Sequence, residues 1–150
     1  MDGLKFTFQK GGVLYARFNK LSEKTKKSIL DILPFETVIS HTRWCGREIY
    51  ANIETKNRPP KENQTTTVGK FDMTYWRDWD LDSEDIAAQS GAISLFYGSE
   101  LLRFHNGLLH VNVIGRVDIE QEQQLEEIGL RIWQEGFEKV TVEYHNFPEE

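Results

Sequence analysis

The segment HTRWCGREIYANI, residues 41–53, sets an imidazole, a guanidinium, an indole, the chain's single thiol and an amide close together. Arg43 can hold a carboxylate through two parallel hydrogen bonds. It can equally lie on Trp44 as an exposed cation–π pair worth about 0.5–1 kcal/mol. His41 and Cys45 lie within one turn of each other. A nucleophilic couple there needs a stabilised thiolate, and a closed zinc site needs four ligands. Neither requirement has a visible source, so Cys45 is expected as an exposed thiol at a hairpin tip.

Further polar and aromatic candidates follow downstream. Tyr50 and Asn52 share one face of the returning strand. Asn52 and the later Asn112 stand among apolar strand residues, and a buried amide must find partners, either in a polar pocket or in a loop backbone. Asn63 lies in a loop ahead of three threonines, able to reach a ligand carbonyl or to close an Asx-turn. Tyr75, Trp76 and Trp79 cluster near acidic residues and offer rigid stacking area. Trp76 can instead cover the fold as core. Tyr97 and Phe104 flank Gly98 and can form an opposite wall, and Phe96 reads as core.

Other chemistry is excluded by spacing. His105 and His110 are five residues apart, which suits neither a helix face nor a strand face. Asp78, Asp80, Asp82, Glu84 and Asp85 lack the calcium-loop order with its central Gly and final Glu, and read as a solvated loop. No phosphate-cradling or dinucleotide-binding Gly pattern is present. No catalytic residue, metal or cofactor is therefore assigned.

These side chains must be positioned by strands. Leu4, Phe6 and Phe8 alternate with polar residues, Gly11-Gly12 turns the chain, and Val13 to Phe18 returns, giving an opening hairpin. Ser22 offers an N-cap for a helix whose stripe is Thr25, Ile29, Ile32 and Leu33, stopped by Pro34. Phe35 to His41 and Glu48 to Ile53 form a second hairpin about Cys45-Gly46, with Ile49, Ala51 and Ile53 facing one way. Residues 54–70 are loop by composition. Phe71 to Tyr75, Ala92 to Tyr97 and Leu109 to Val117 read as strands. Asp118 and Gln121 fit a capping box for a second helix with Leu125, Ile128, Ile132 and Trp133 as its stripe and Gly136 as its stop. Phe137 to Tyr144 closes the chain. Helices do not alternate with strands, so a parallel doubly wound sheet is disfavoured. A closed, mainly β barrel of eight strands with two capping helices removes the sheet edges.

The totals agree. One domain over residues 1–150 can bury a core. A net charge of −6 disfavours a general grip on nucleic acid, and the basic run Lys20 to Lys27 reads as a helix face. A lone Cys, no long apolar span and no signal-type N-terminus point to a cytoplasmic protein without a membrane segment.

LPFETVISHTRWCGREIYANI, KENQTTTVGKFDMTYW, AISLFYGSELLRF and LLHVNVIGRV, in that order, resemble the uncharacterised cyclophilin-like proteins of bacteria and archaea. The resemblance covers residues 4 to about 143 and implies a cyclophilin-type barrel of unknown function. Cyclophilins proper are peptidyl-prolyl isomerases, in which an Arg stabilises the rotating amide. The resemblance sets Arg43 near the place of that Arg, Tyr50 and Asn52 near those of a Phe and a Gln, and Phe96 on a core Phe. The FHR and QGG sequences are absent, and Val111 rather than His110 falls on the place of the closing His.

The leading expectation is a binding barrel with a pocket at its mouth. Arg43, Trp44, Tyr50, Asn52, Asn63, Tyr75, Trp76, Tyr97 and Phe104 would be its ligand-binding residues, for a small carboxylate or a Pro-containing peptide. An isomerase is the rival. A structural partner protein, marked by an apolar patch at the barrel end and a homodimer, is the third class.

Overall fold

Period-two alternation builds the first hairpin as expected: Leu4, Phe6 and Phe8 are buried, and so are Leu14, Ala16 and Phe18 across from them. The computed structural model describes residues 1–80 and 90–149. In it the hairpin is β1 (Asp2–Phe8) and β2 (Val13–Phe18). Gly11 and Gly12 turn between them at φ +113° and +95°, a region glycine enters without steric penalty. The chain continues through α1 (Glu23–Leu30), β3 (Phe35–His41), β4 (Glu48–Glu54) and the short β5 (Gln64–Thr65) and β6 (Thr67–Val68). Then come β7 (Asp72–Arg77), β8 (Ser90–Phe96), β9 (Glu100–Leu101), β10 (Arg103–Phe104), β11 (Gly107–Leu108) and β12 (Val111–Val117). A 3-10 turn at Ile119–Gln121 leads into α2 (Glu122–Glu135), and β13 (Glu138–Asn146) ends the fold.

The main sheet runs β2-β1-β13-β3-β4-β8-β7-β12, and β12 pairs back onto β2. Eight antiparallel strands thus close into a barrel, with Gly115 opposite Phe18 and Val117 opposite Ala16 at the seam. The mainly β, closed eight-stranded fold with two helices is the one the sequence predicts. At this strand number the interior is just filled by side chains. Ile49, Ala51, Ile53, Met73, Tyr75, Ile93 and Leu95 point into one core.

The helices sit at opposite ends. Ile29 of α1 and Leu125, Ile128 and Ile132 of α2 join the same core. The α1 end is marked by the Ser22 hydroxyl donating to the Val113 carbonyl. The α2 end is marked by Lys70 pairing with Glu122 and Glu126. Among the described residues, no helix is long and apolar enough to cross a membrane.

Three local expectations need correction. Ser22 does not cap α1 through its side chain. Instead the Glu62 carboxylate accepts from the Lys24 and Thr25 amides at 3.1 and 3.3 Å, an anion at a helix N-terminus. Gln121 makes no capping box; its side chain bridges to β2, accepting from Tyr15 N and donating to the Val13 carbonyl. Trp133 is not buried: it is 61% exposed, with the place beside the stripe taken by the Tyr97 ring against Gly129. Of the acidic loop, Asp82, Glu84 and Asp85 lie outside the described residues.

Candidate functional site

Strand parity decides which side chains leave the core. In β4, Ile49, Ala51 and Ile53 turn inward, so Glu48, Tyr50 and Asn52 turn outward. The β8 residues opposite them are Phe96, Ser94 and Ala92, and Trp76 of β7 lies across from Ala92. This outer wall is not bare. The β6–β9 ladder and the β10–β11 hairpin fold over it. A second small core of Cys45, Val68, Phe96, Leu102 and Val111 fills the space beneath.

A cavity of about 360 Å³ opens between wall and cover. Its polar lining includes Glu48, Tyr50, Asn52 and Ser94 from the wall, Arg43 from the β3–β4 turn and Arg103 from the cover. Its aromatic side is Trp44, Phe104 and Trp76. Phe104 stands 6.2 Å from Trp44 and 5.8 Å from Trp76 between ring centroids. The hollow therefore lies on the outer face of the barrel, not at its mouth. The reason is packing: the interior has no room.

Glu48 forms the buried end of the cavity, only 7% exposed. Burial pushes its carboxyl up to about 7, partly offset by hydrogen bonds to Ser94 and Cys45, and the Glu100 charge adds to the rise. Among the described residues no ion pair involves Glu48. A carboxyl that gains or loses a proton near neutrality can accept or deliver one, or answer a cation.

Cys45 departs from expectation. It is buried, not exposed, and its Sγ lies 3.7 Å from the Arg103 carbonyl oxygen that accepts from it. Burial pushes the thiol up to about 11, away from the reactive thiolate. Native protein should therefore react with Ellman's reagent at least about tenfold more slowly than protein unfolded in guanidinium; equal rates would contradict this placement. Among the described residues, no three His, Cys, Asp or Glu side chains gather as a metal-binding group.

Of the residues singled out by sequence, Arg43, Trp44, Tyr50, Asn52, Trp76 and Phe104 line this one cavity. Asn63, Tyr75 and Tyr97 do not. Tyr75 has the inward parity of β7 and is fully buried in the barrel core. Tyr97 is bonded to His41, with its hydroxyl 2.6 Å from Nε2. Asn63 donates from its side chain to the Val113 carbonyl at 2.9 Å. Asn112 holds the long loop: Oδ1 accepts from the Glu62 amide and Gln64 Nε2, and Nδ2 donates to Thr25 Oγ1 and the Pro60 carbonyl. That is the loop-bonding alternative for a buried amide. Glu48, Ser94 and Arg103 were missed. The parity that placed Tyr50 and Asn52 on one face also places Glu48 there, two residues earlier, and was the available signal.

By fold the chain is similar to McbB in complex with tryptophan, at a TM-score of 0.68 and 14% identity. That match covers 98% of this chain and 46% of McbB's, so the chain spans about half of McbB's length. It is also similar to the hypothetical protein AF2241 from Archaeoglobus fulgidus, whose solution structure matches at a TM-score of 0.58 and 21% identity over 94% of this chain and 92% of that one. Identities this low show the fold alone. No curated protein matches the sequence. Residues 8–144 match the model of the family described as Protein of unknown function (DUF3830), and the chain belongs to that family.

Proposed function

We propose that this chain is a cyclophilin-like binding barrel whose outer-face cavity takes a small carboxylate with a flat apolar body. The observation that carries this reading is convergence: Arg43 shares one hollow with Trp44, Phe104 and Trp76. A guanidinium beside aromatic faces recognises an anionic group attached to a ring. The cavity's 360 Å³ sits at the small end of ligand pockets and suits a small molecule better than an extended peptide. McbB was solved with tryptophan, a small carboxylate with an indole body, and this supports the same ligand class here. The isomerase alternative needs an apolar seat for a proline ring. Glu48, Ser94 and Asn52 make this hollow polar on one side, which favours binding over isomerisation.

The test uses 3-indolepropionate, a carboxylate on an indole. At about 100 times its Kd it should stabilise the protein by about 2.7 kcal/mol, a rise of roughly 5–10 °C in Tm for a chain of this size. Arg43→Ala should melt within about 1 °C of the parent, since Arg43 is an exposed side chain, and should lose most of the rise. Undiminished protection in that variant would remove Arg43 as the anchor.

A further inference from the structure

The binding reading leaves Glu48 without a task. It is a buried carboxyl opening on the cavity, and Arg43 and Arg103 line the same hollow as exposed side chains. The groups that favour its charged form, Ser94 and Cys45, are themselves neutral. Taking a carboxylate out of water without a cation is costly, and an apolar residue would fill the space more cheaply. The titratable groups that share its cavity or act on it are few. His41 and Arg43 come from the end of β3 and its turn, Cys45 from the same turn, Tyr50 from β4, Glu100 from β9 and Arg103 from β10. His41 is already engaged by Tyr97 and by the Thr42 carbonyl. Among the described residues no ion pair reaches Glu48, while Glu100 adds a negative charge beside it.

We propose that the cavity is built for a ligand carrying a cationic amine, seated against the Glu48 carboxylate, with the ligand's anionic group at Arg43 and Arg103. This rests on the reading of the hollow as a ligand site and narrows the ligand class to small zwitterions with an aromatic or apolar body. An ammonium supplies the paired counter-charge that Glu48 lacks and hydrogen-bond donors beyond the Ser94 hydroxyl. Binding must then draw Glu48 into its ionised form and release its proton.

Proton release gives the inference a sign. An amine that binds only ionised Glu48 has an apparent Kd equal to its intrinsic Kd divided by the ionised fraction of the protein. With the carboxyl poised at about 7, affinity for the amine rises as pH rises through that point. A carboxylate without an amine shows the opposite trend, because ionised Glu48 repels it.

The experiment is isothermal titration of the full chain with tryptamine and with 3-indolepropionate at pH 6 and pH 8. Tryptamine should bind about tenfold more tightly at pH 8 than at pH 6, and 3-indolepropionate should not gain. Glu48→Gln should flatten the tryptamine trend. That variant leaves every other group of the cavity in place, so the difference between the two proteins isolates Glu48. A second measurement needs no variant. At pH 7, titrations in buffers of different ionisation heat should show about half a proton released per tryptamine bound. Tryptamine binding with neither proton release nor a pH trend overturns the inference. So does failure of tryptamine to bind while 3-indolepropionate binds, which leaves the carboxylate site standing. Failure of both ligands overturns the site itself.

Discussion

Gly115→Val is expected to lower stability by about 3 kcal/mol or more, seen as a fall in Tm of roughly 10 °C. Gly115 stands in two ladders at once. It faces Phe18 of β2 across the closing seam and Met73 of β7 on the other side, just after a bulge in β12. A Cβ there would lie 1.9 Å from the Arg17 carbonyl oxygen and 2.9 Å from its carbon. These are backbone atoms of the neighbouring strand, so no rotamer change relieves the clash. β12 and β2 would have to part, and the barrel would gain two open edges. Gly69→Ala is the matched control. Its nearest neighbour would be an Asp72 side-chain oxygen at 3.8 Å, and it should stay within about 0.5 kcal/mol of the parent. Denaturant midpoints of the two variants check the contrast. Equal midpoints would mean that closure through β12 and β2 does not hold the fold together.

The strands and hairpins were legible because their signals are local. Strand alternation in LKFTF and in IYANI, and the Gly turns between runs, each depend on neighbours a few residues away. The same parity correctly turned Tyr50 and Asn52 outward. What the sequence hid depends on distant segments. Glu48 is buried only because β9 and β10, about fifty residues later, fold over the wall, and Cys45 follows it under the same cover. The cap of α1 comes from Glu62, 38 residues beyond Lys24. Helical spacing put Trp133 beside a true stripe, but a Tyr97 ring had claimed the groove that Gly129 leaves open. Tyr75 and Trp76 were singled out together, yet adjacent positions in a strand face opposite ways. One entered the core and the other reached the cavity.

Arg131→Ala should cost about 3 kcal/mol, in the range found when one partner of a buried ion pair is removed. Glu138, the first residue of β13, has a fully buried side chain. Arg131 reaches it from α2 through two nearly parallel bonds, Nε to Oε1 at 2.9 Å and a terminal guanidinium nitrogen to Oε2 at 3.1 Å. The Lys10 amide in the first turn also donates to Oε2, at 2.8 Å. One carboxylate thus ties the end of α2, the β1–β2 turn and the start of β13 to one another. Without Arg131 that charge stays buried with a single neutral donor. The loss then comes from the stranded carboxylate rather than from the missing contact, and a second substitution separates the two. Arg131→Met with Glu138→Gln removes both charges, keeps an acceptor for the Lys10 amide and retains most of the volume. It should recover more than half of the stability lost by Arg131→Ala, measured by urea unfolding. If the double variant is no more stable than the single one, the guanidinium acts by packing its stem against the barrel end, and the carboxylate does not govern how α2 is fastened.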